Sequence, residues 1–126
     1  MVNDTKPVRL LIIGRPRCGK TTLATRLGAE HGLEVTHLDK YLGEMPWSEL
    51  SDWIAEQLAK DGNWIIEGCS GVRGLRKYLK ANPNKPLPFE VRWLDDYKVL
   101  PTPKQHAFGT ACKAIYNECT RMGVKL

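Results

Sequence analysis

The sequence predicts an α/β fold: a short parallel sheet of four to five strands with helices on both faces, three layers in all. Short apolar runs rich in branched residues alternate with segments of helical spacing along the whole chain. No repeat, low-complexity tract or interdomain linker interrupts the alternation, and 126 residues suit a single domain spanning 1–126.

The elements follow in order. "VRLLII", 8–13, reads as a buried strand ended by Gly14, and Lys20 to about Ala29 as a helix with Leu23 and Leu27 on one face. "LEVTHLD", 33–39, is the second strand. Ser48–Lys60 is a helix capped by Ser48, with Leu50, Ile54 and Leu58 inward. "NWIIEG" supplies a third strand over 63–67, and a basic helix over about 71–81 ends at the proline-rich loop "NPNKPLP". "FEVRWLD", 89–95, is the fourth strand. The last helix, 102–123, spaces Phe108, Cys112, Ile115, Cys119 and Met122 by three or four; Gly123 is its expected cap and "VKL" a candidate edge strand.

Composition is that of an ordinary globular protein, with no apolar run of membrane-spanning length. The opening "MVNDTKPVRLLII" lacks the pattern of a secretory signal, so the cytoplasm is the expected compartment. Cys18, Cys69, Cys112 and Cys119 form no C-x-x-C pair. Cys112 and Cys119 lie two helical turns apart, ~10 Å, too far to bridge, so reduced and mostly buried thiols are expected. Net charge is +5, and no acid occurs from Gly68 to Phe89. Within that stretch Arg73, Arg76, Lys77 and Lys80 fall at i, i+3, i+4 and i+7, one face of a helix. Such a face is either simply solvated or favours a polyanionic partner.

The chemistry concentrates in "LIIGRPRCGKTT", residues 11–22. Gly14-x-x-x-x-Gly19-Lys20-Thr21 matches G-x-x-x-x-G-K-[ST], with the strand before and the helix after that this phosphate-binding loop requires. Glycines let backbone N–H groups curl around phosphates, and the helix turns its positive end to them. Lysine adds a mobile charge and threonine a hydroxyl for Mg²⁺. The loop is therefore expected to bind Mg-ATP through Gly14, Arg17, Cys18, Gly19, Lys20, Thr21 and Thr22, with Thr21 as the metal ligand. Arg15 and Arg17 either add charge near the phosphates or face solvent, and Arg15 reads as solvent-facing. Cys18 is either a thiol activated by the helix N-terminus or a small apolar filler.

With this loop, "VTHLDKYL" and "WIIEGCSGVRGLRKYL" resemble the small P-loop kinases related to nucleoside monophosphate kinases, shikimate kinase and the bacterial topology modulation proteins, over about residues 8–95. The resemblance implies a P-loop NTPase fold and an acceptor-site aspartate at Asp39. It also implies an acidic residue with glycine at Glu67-Gly68, and a cationic segment (Arg73, Arg76, Lys77, Lys80) that contacts the acceptor. The residues support these roles independently. A carboxylate at the carboxyl end of a parallel strand lies where such sheets bind ligands, and Asp39 could take a proton from an attacking hydroxyl or orient it. Glu67 could hold Mg²⁺ through water or orient the acceptor. Structural capping is the alternative for both.

Nucleotide kinases of this class carry an arginine-bearing lid after the fourth strand. Here "DYKVLPTPKQHAF" offers Lys98, Lys104 and His106 and no arginine, so the lid is expected to be truncated. Charge on the transferring phosphoryl then falls to Lys20, Mg²⁺, Arg73, Arg76 or Lys104. The small size, the cationic helix and the tail "PKQHAFGTACKAIYNE" are similar to compact bacteriophage P-loop kinases. One such family phosphorylates the hydroxymethyl group of 5-hydroxymethyluracil in viral DNA.

These features lead to the expectation of a Mg-ATP-dependent kinase acting on a hydroxyl, most specifically that of 5-hydroxymethyluracil in phage DNA. Asp39, Lys20 and Glu67 would be catalytic, and Asp39, Gly68, Arg73, Arg76, Lys77 and Lys80 would bind the substrate. Trp47 or Tyr41 could stack on an extruded base. A kinase of a free nucleotide or small metabolite, and a nucleotide-binding module without turnover, are the alternatives.

Overall fold

From Leu10 onward every residue of β1 (Arg9–Gly14) is buried, as a strand covered on both faces must be. The computed structural model describes residues 7–122. After β1 the chain runs through α1 (Lys20–His31), β2 (Val35–His37), α2 (Trp47–Leu58), β3 (Trp64–Glu67), α3 (Gly71–Ala81), β4 (Glu90–Leu94) and α4 (Pro103–Thr120). The four strands form one parallel sheet in the order β2-β3-β1-β4.

Alternation along the strands sorts the core onto two faces. Leu10, Ile12 and Ile65 pack with Ala24 and Leu27 of α1 on one side. Leu11, Ile13 and Ile66 meet Leu50 and Ile54 of α2, Val72 and Leu75 of α3, and Cys112 and Ile115 of α4 on the other. The molecule is thus α/β, a four-stranded parallel sheet flanked by helices and compatible with three layers. α1 leads outward to β2, while α2 and α3 lead back across the sheet, so right-handed crossovers put them on opposite faces. The helices following the adjacent strands β1 and β3 therefore leave in opposite directions. That divergence opens a crevice at the carboxyl ends of both strands.

Several boundaries differ from the sequence expectation. The second strand stops at His37, and Leu38–Tyr41 form a 3-10 turn carrying Asp39. The cause is tertiary: Leu38 is fully buried, its Cβ packed where a side chain at Gly68 would lie, and an extended chain could not place it there. α2 begins at Trp47 after Pro46, so Ser48 lies inside the helix and caps nothing. α4 is capped instead by Thr102, in a reciprocal capping box with Gln105 and with Pro103 at the first helical position. The expected Gly123 cap and "VKL" strand lie outside the described residues. All four cysteines are free and buried, and burial pushes the Cys112 thiol up to about 12. Among the described residues no helix is long and apolar enough to cross a membrane.

α2 and α3 approach closely at Gly74, where an added Cβ would lie 2.1 Å from Cγ2 and 2.5 Å from Cβ of the fully buried Ile54. Ile54 is branched and enclosed, so it cannot swing aside. Gly74→Ala gains ~1 kcal/mol of helix propensity against an overpacking cost of ~1–3 kcal/mol. The clash is expected to win, lowering the urea midpoint with the m-value unchanged.

Candidate functional site

The loop between β1 and α1 is pinched against the end of β4. Gly14 has φ +154, and a Cβ there would lie 2.2 Å from the carbonyl oxygen of Leu94, so only glycine fits. That carbonyl accepts the Arg15 N–H at 3.0 Å. Arg15 itself corrects the solvent-facing expectation. Its guanidinium folds under the loop, with Nε donating to Asp95 at 3.1 Å and Nη1 to Thr110 of α4 at 3.2 Å. Asp95 lies below the ordinary carboxylate range, first through the hydrogen bond from the Trp93 indole and then through Arg15.

Arg17 takes φ +61, an uncommon backbone for a side chain of this size. Two bonds hold it there: Lys98 N–H donates to its carbonyl at 2.8 Å, and its Nε donates to Gln105 Oε1 at 2.8 Å. Cys18 is buried and its thiol is pushed up by that burial, which selects the apolar filler over the activated thiol. Gly19 has φ +86 and precedes α1, whose N-terminus carries no side-chain cap. Lys20 is 6% exposed, and its ammonium donates to the Arg15 carbonyl across the loop.

Glu67 joins three elements. It is 1% exposed, and Oε2 accepts from the Thr21 hydroxyl at 2.9 Å and faces His37 Nδ1 at 2.6 Å. Its other oxygen, Oε1, is buried without a hydrogen-bond partner. Gly68, at φ +143, lets the chain pass the 3-10 turn, since a Cβ would lie 2.7 Å from Leu38 Cβ and 3.4 Å from Asp39 Oδ1. Asp39 opens to solvent at the mouth of a cleft of about 450 Å³ that also touches Lys20, Thr21, Cys69, Gln105 and Phe108. Partial desolvation by the walls raises its carboxyl above the ordinary value. The charge of Glu67 adds to the rise, while Lys20 and His37 oppose it.

Comparison with known proteins finds no family model and no curated protein that matches this chain. Geometry therefore carries the functional argument.

Of the expected site residues, Gly14, Arg17, Gly19, Lys20, Thr21, Thr22, Asp39, Glu67 and Gly68 converge on the crevice. The basic face of α3 does not converge with them. Arg76 pairs with Glu118 of α4 at 3.2 Å, Lys77 pairs with Asp52 of α2, and Lys80 is exposed in the last turn of α3. Arg73 lies instead against Trp47, its guanidinium 4.6 Å from the ring and its Nε buried without a partner. Trp47 packs against Phe108, which lines the cleft. Tyr41 packs against Trp53 with the rings tilted at 51° and is partly buried against the core.

Sequence reasoning missed His37, Gln105 and Phe108. His37 is the register partner of Glu67 across β2 and β3, a pairing legible only once the strands are aligned. The spacing of Thr102 and Gln105 is that of a capping box, which the structure forms, but nothing in the sequence links Gln105 to Arg17.

Because folding raises the Asp39 pKa, the ionised form is disfavoured in the native state. That penalty is present above the unfolded pKa and disappears as the native carboxylate protonates. Asp39→Asn is therefore expected to melt at a higher temperature than the parent at pH 7. In calorimetry the difference should close as pH falls below the ordinary Asp value of about 4.

Proposed function

We propose that this chain is a Mg-ATP-dependent kinase of the small P-loop type, moving the γ-phosphate to a hydroxyl acceptor. The observation that carries the reading is the meeting of Lys20, Thr21, Asp39 and Glu67 at the carboxyl ends of β1 and β3. A lone glycine-rich turn would have no reason to gather them.

The residues divide the work. Backbone N–H groups from Arg17 to Thr21, at the uncapped start of α1, would bind the β- and γ-phosphates. Lys20, resting on the Arg15 carbonyl, would exchange that weak partner for a phosphate oxygen and carry charge off the phosphoryl group as it transfers. Asp39, its carboxyl raised by desolvation and by the charge of Glu67, would act as the general base that accepts the acceptor's proton.

The residues fit Mg²⁺ through Thr21 Oγ1 and, by way of water, the unpartnered Oε1 of Glu67. Among the described residues no group of three His, Cys, Asp or Glu side chains could bind a metal ion unaided, so phosphate oxygens and water would complete its shell. When bound, the ion supplies neutralisation of charge on the phosphate oxygens.

For the acceptor, the hydroxymethyl group of 5-hydroxymethyluracil in DNA is the most specific proposal. Its backbone grip would draw on Arg73, Arg76, Lys77 and Lys80. A free nucleotide or small metabolite is the second reading, and the pairing of Arg76 and Lys77 with Glu118 and Asp52 favours it. A nucleotide-binding module without turnover predicts no transfer to either.

Label from γ-phosphate-labelled ATP, offered with modified DNA or with free nucleosides and nucleotides, identifies the acceptor. Lys20→Ala should abolish nucleotide binding. Asp39→Asn should keep ATP affinity within about twofold and lower transfer by roughly 10²-fold, the usual scale of a general base. Transfer at the parent rate in the Asn variant would remove Asp39 from the chemistry, and the acid limb of the parent's pH profile should vanish in that variant. If DNA binds, four free cations would give a log–log salt slope of about −3 to −4, whereas Arg73 and Lys80 alone would give about −2.

A further inference from the structure

The loop between β1 and α1 holds two arginines, and the protein treats them differently. Arg15 serves structure, its guanidinium paired with Asp95 and bonded to Thr110. Arg17 enters no ion pair among the described residues. Its Nε donates to Gln105 Oε1, a neutral partner, and among the described residues both Nη groups are left for a ligand. The partner is itself fixed. Gln105 Oε1 also accepts the Thr102 N–H at 2.9 Å, within the capping box that starts α4, so two donors hold the amide oxygen in place.

The backbone under Arg17 is strained. At φ +61 a glycine would sit freely, whereas an arginine occupies a region that side chains seldom adopt. The Lys98 N–H on its carbonyl and the Gln105 bond on its side chain keep it there. Strain held in place by distant segments collects where a particular side chain is needed. Arg17 and Gln105 line the same cleft as Lys20, Thr21 and Asp39.

We propose that Arg17 is a catalytic residue that meets the phosphoryl group as it transfers, and that Gln105 of α4 is the residue that positions its guanidinium. The assignment rests on the kinase reading. In that reaction the acceptor oxygen bonds to the γ-phosphorus and its proton passes to Asp39. The bond from phosphorus to the β–γ bridging oxygen breaks, and its electron pair leaves with ADP. Negative charge meanwhile spreads over the three equatorial oxygens of the moving group. A guanidinium that is already fixed and not neutralised meets that charge without reorganisation. An arginine paired with a carboxylate, as Arg15 is, would first have to give up its partner. From Asp95 to Gln105 the chain after β4 holds no arginine, so the loop supplies its own.

Calorimetry on the full chain, with MgATP and with MgADP plus aluminium fluoride, tests this without an acceptor. Aluminium fluoride mimics the phosphoryl group in transfer and should tighten MgADP binding to the parent by roughly tenfold or more. Arg17→Gly fits φ +61, so folding is not at risk. That variant should keep MgATP affinity within about twofold and lose most of the gain from aluminium fluoride. Arg17→Lys, which returns the charge without the Nε–H that Gln105 accepts, should recover only a small part of it. Gln105→Ala should reduce the gain by about threefold. Thr102→Ala breaks the other half of the capping box, leaves the Gln105–Arg17 bond and should keep the gain. No gain in the parent, an undiminished gain in Arg17→Gly, or an equal loss of MgATP binding there overturns the catalytic assignment. Equal behaviour of Gln105→Ala and Thr102→Ala overturns the positioning role. Each of these leaves the kinase reading to the label-transfer measurement, whereas a parent that binds neither probe overturns that reading as well.

Discussion

A carboxylate buried where three strands end must be matched by donors, and Glu67 imposes that requirement on the elements around it. Moving such a charge out of water costs several kcal/mol unless hydrogen bonds replace its hydration. The Thr21 hydroxyl and the His37 ring do so, one from the first turn of α1 and the other from β2. The acid therefore registers α1 against β3 and β2 against β3. Its second oxygen is left without a partner, and its charge adds to the rise in the Asp39 pKa that desolvation of Asp39 begins.

A second constraint works from the opposite side. Arg15 lies beneath the loop it belongs to and ties it to Asp95 after β4 and to Thr110 of α4. Trp93 stacks on Tyr116 at 4.7 Å, and Lys113 lies over both rings, so α4 is held along its length. Gly109 allows its first turns to approach the loop, since a Cβ there would come within 3.0 Å of Pro16. The last helix thus serves the loop as well as the core. It fixes the loop, and Gln105 and Phe108 contribute to the cleft wall.

The fold was largely legible because inner strands of a parallel sheet are continuous apolar runs and α3 is bounded by Gly71 and a proline-rich loop. The glycine spacing of the loop was legible for the same reason, being local. What escaped the sequence was set by contacts between distant segments. The turn carrying Asp39 exists because Leu38 packs over Gly68, far along the chain. Arg15 looked free because its partners, Asp95 and Thr110, follow it by eighty residues or more. Gln105 and His37 carry ordinary local signals that gain meaning only from the strand order and the docking of α4.

The basic helix shows the same limit in electrostatic form. A stretch without acids predicts an unbalanced face only if no neighbouring element supplies them. α3 lies between α2 and α4, and each supplies one: Asp52 takes Lys77 and Glu118 takes Arg76. Exposed pairs of this kind contribute about 0–1 kcal/mol, so a strong polyanion could still displace them. It would then have to offset their loss as well as its own counterion release. Arg73 faces no such competition. It rests on Trp47 with an unpartnered Nε, beside the aromatic wall of the Asp39 cleft. On the kinase reading, acceptor recognition would draw less on the length of the basic face than on this one arginine and the ring that holds it.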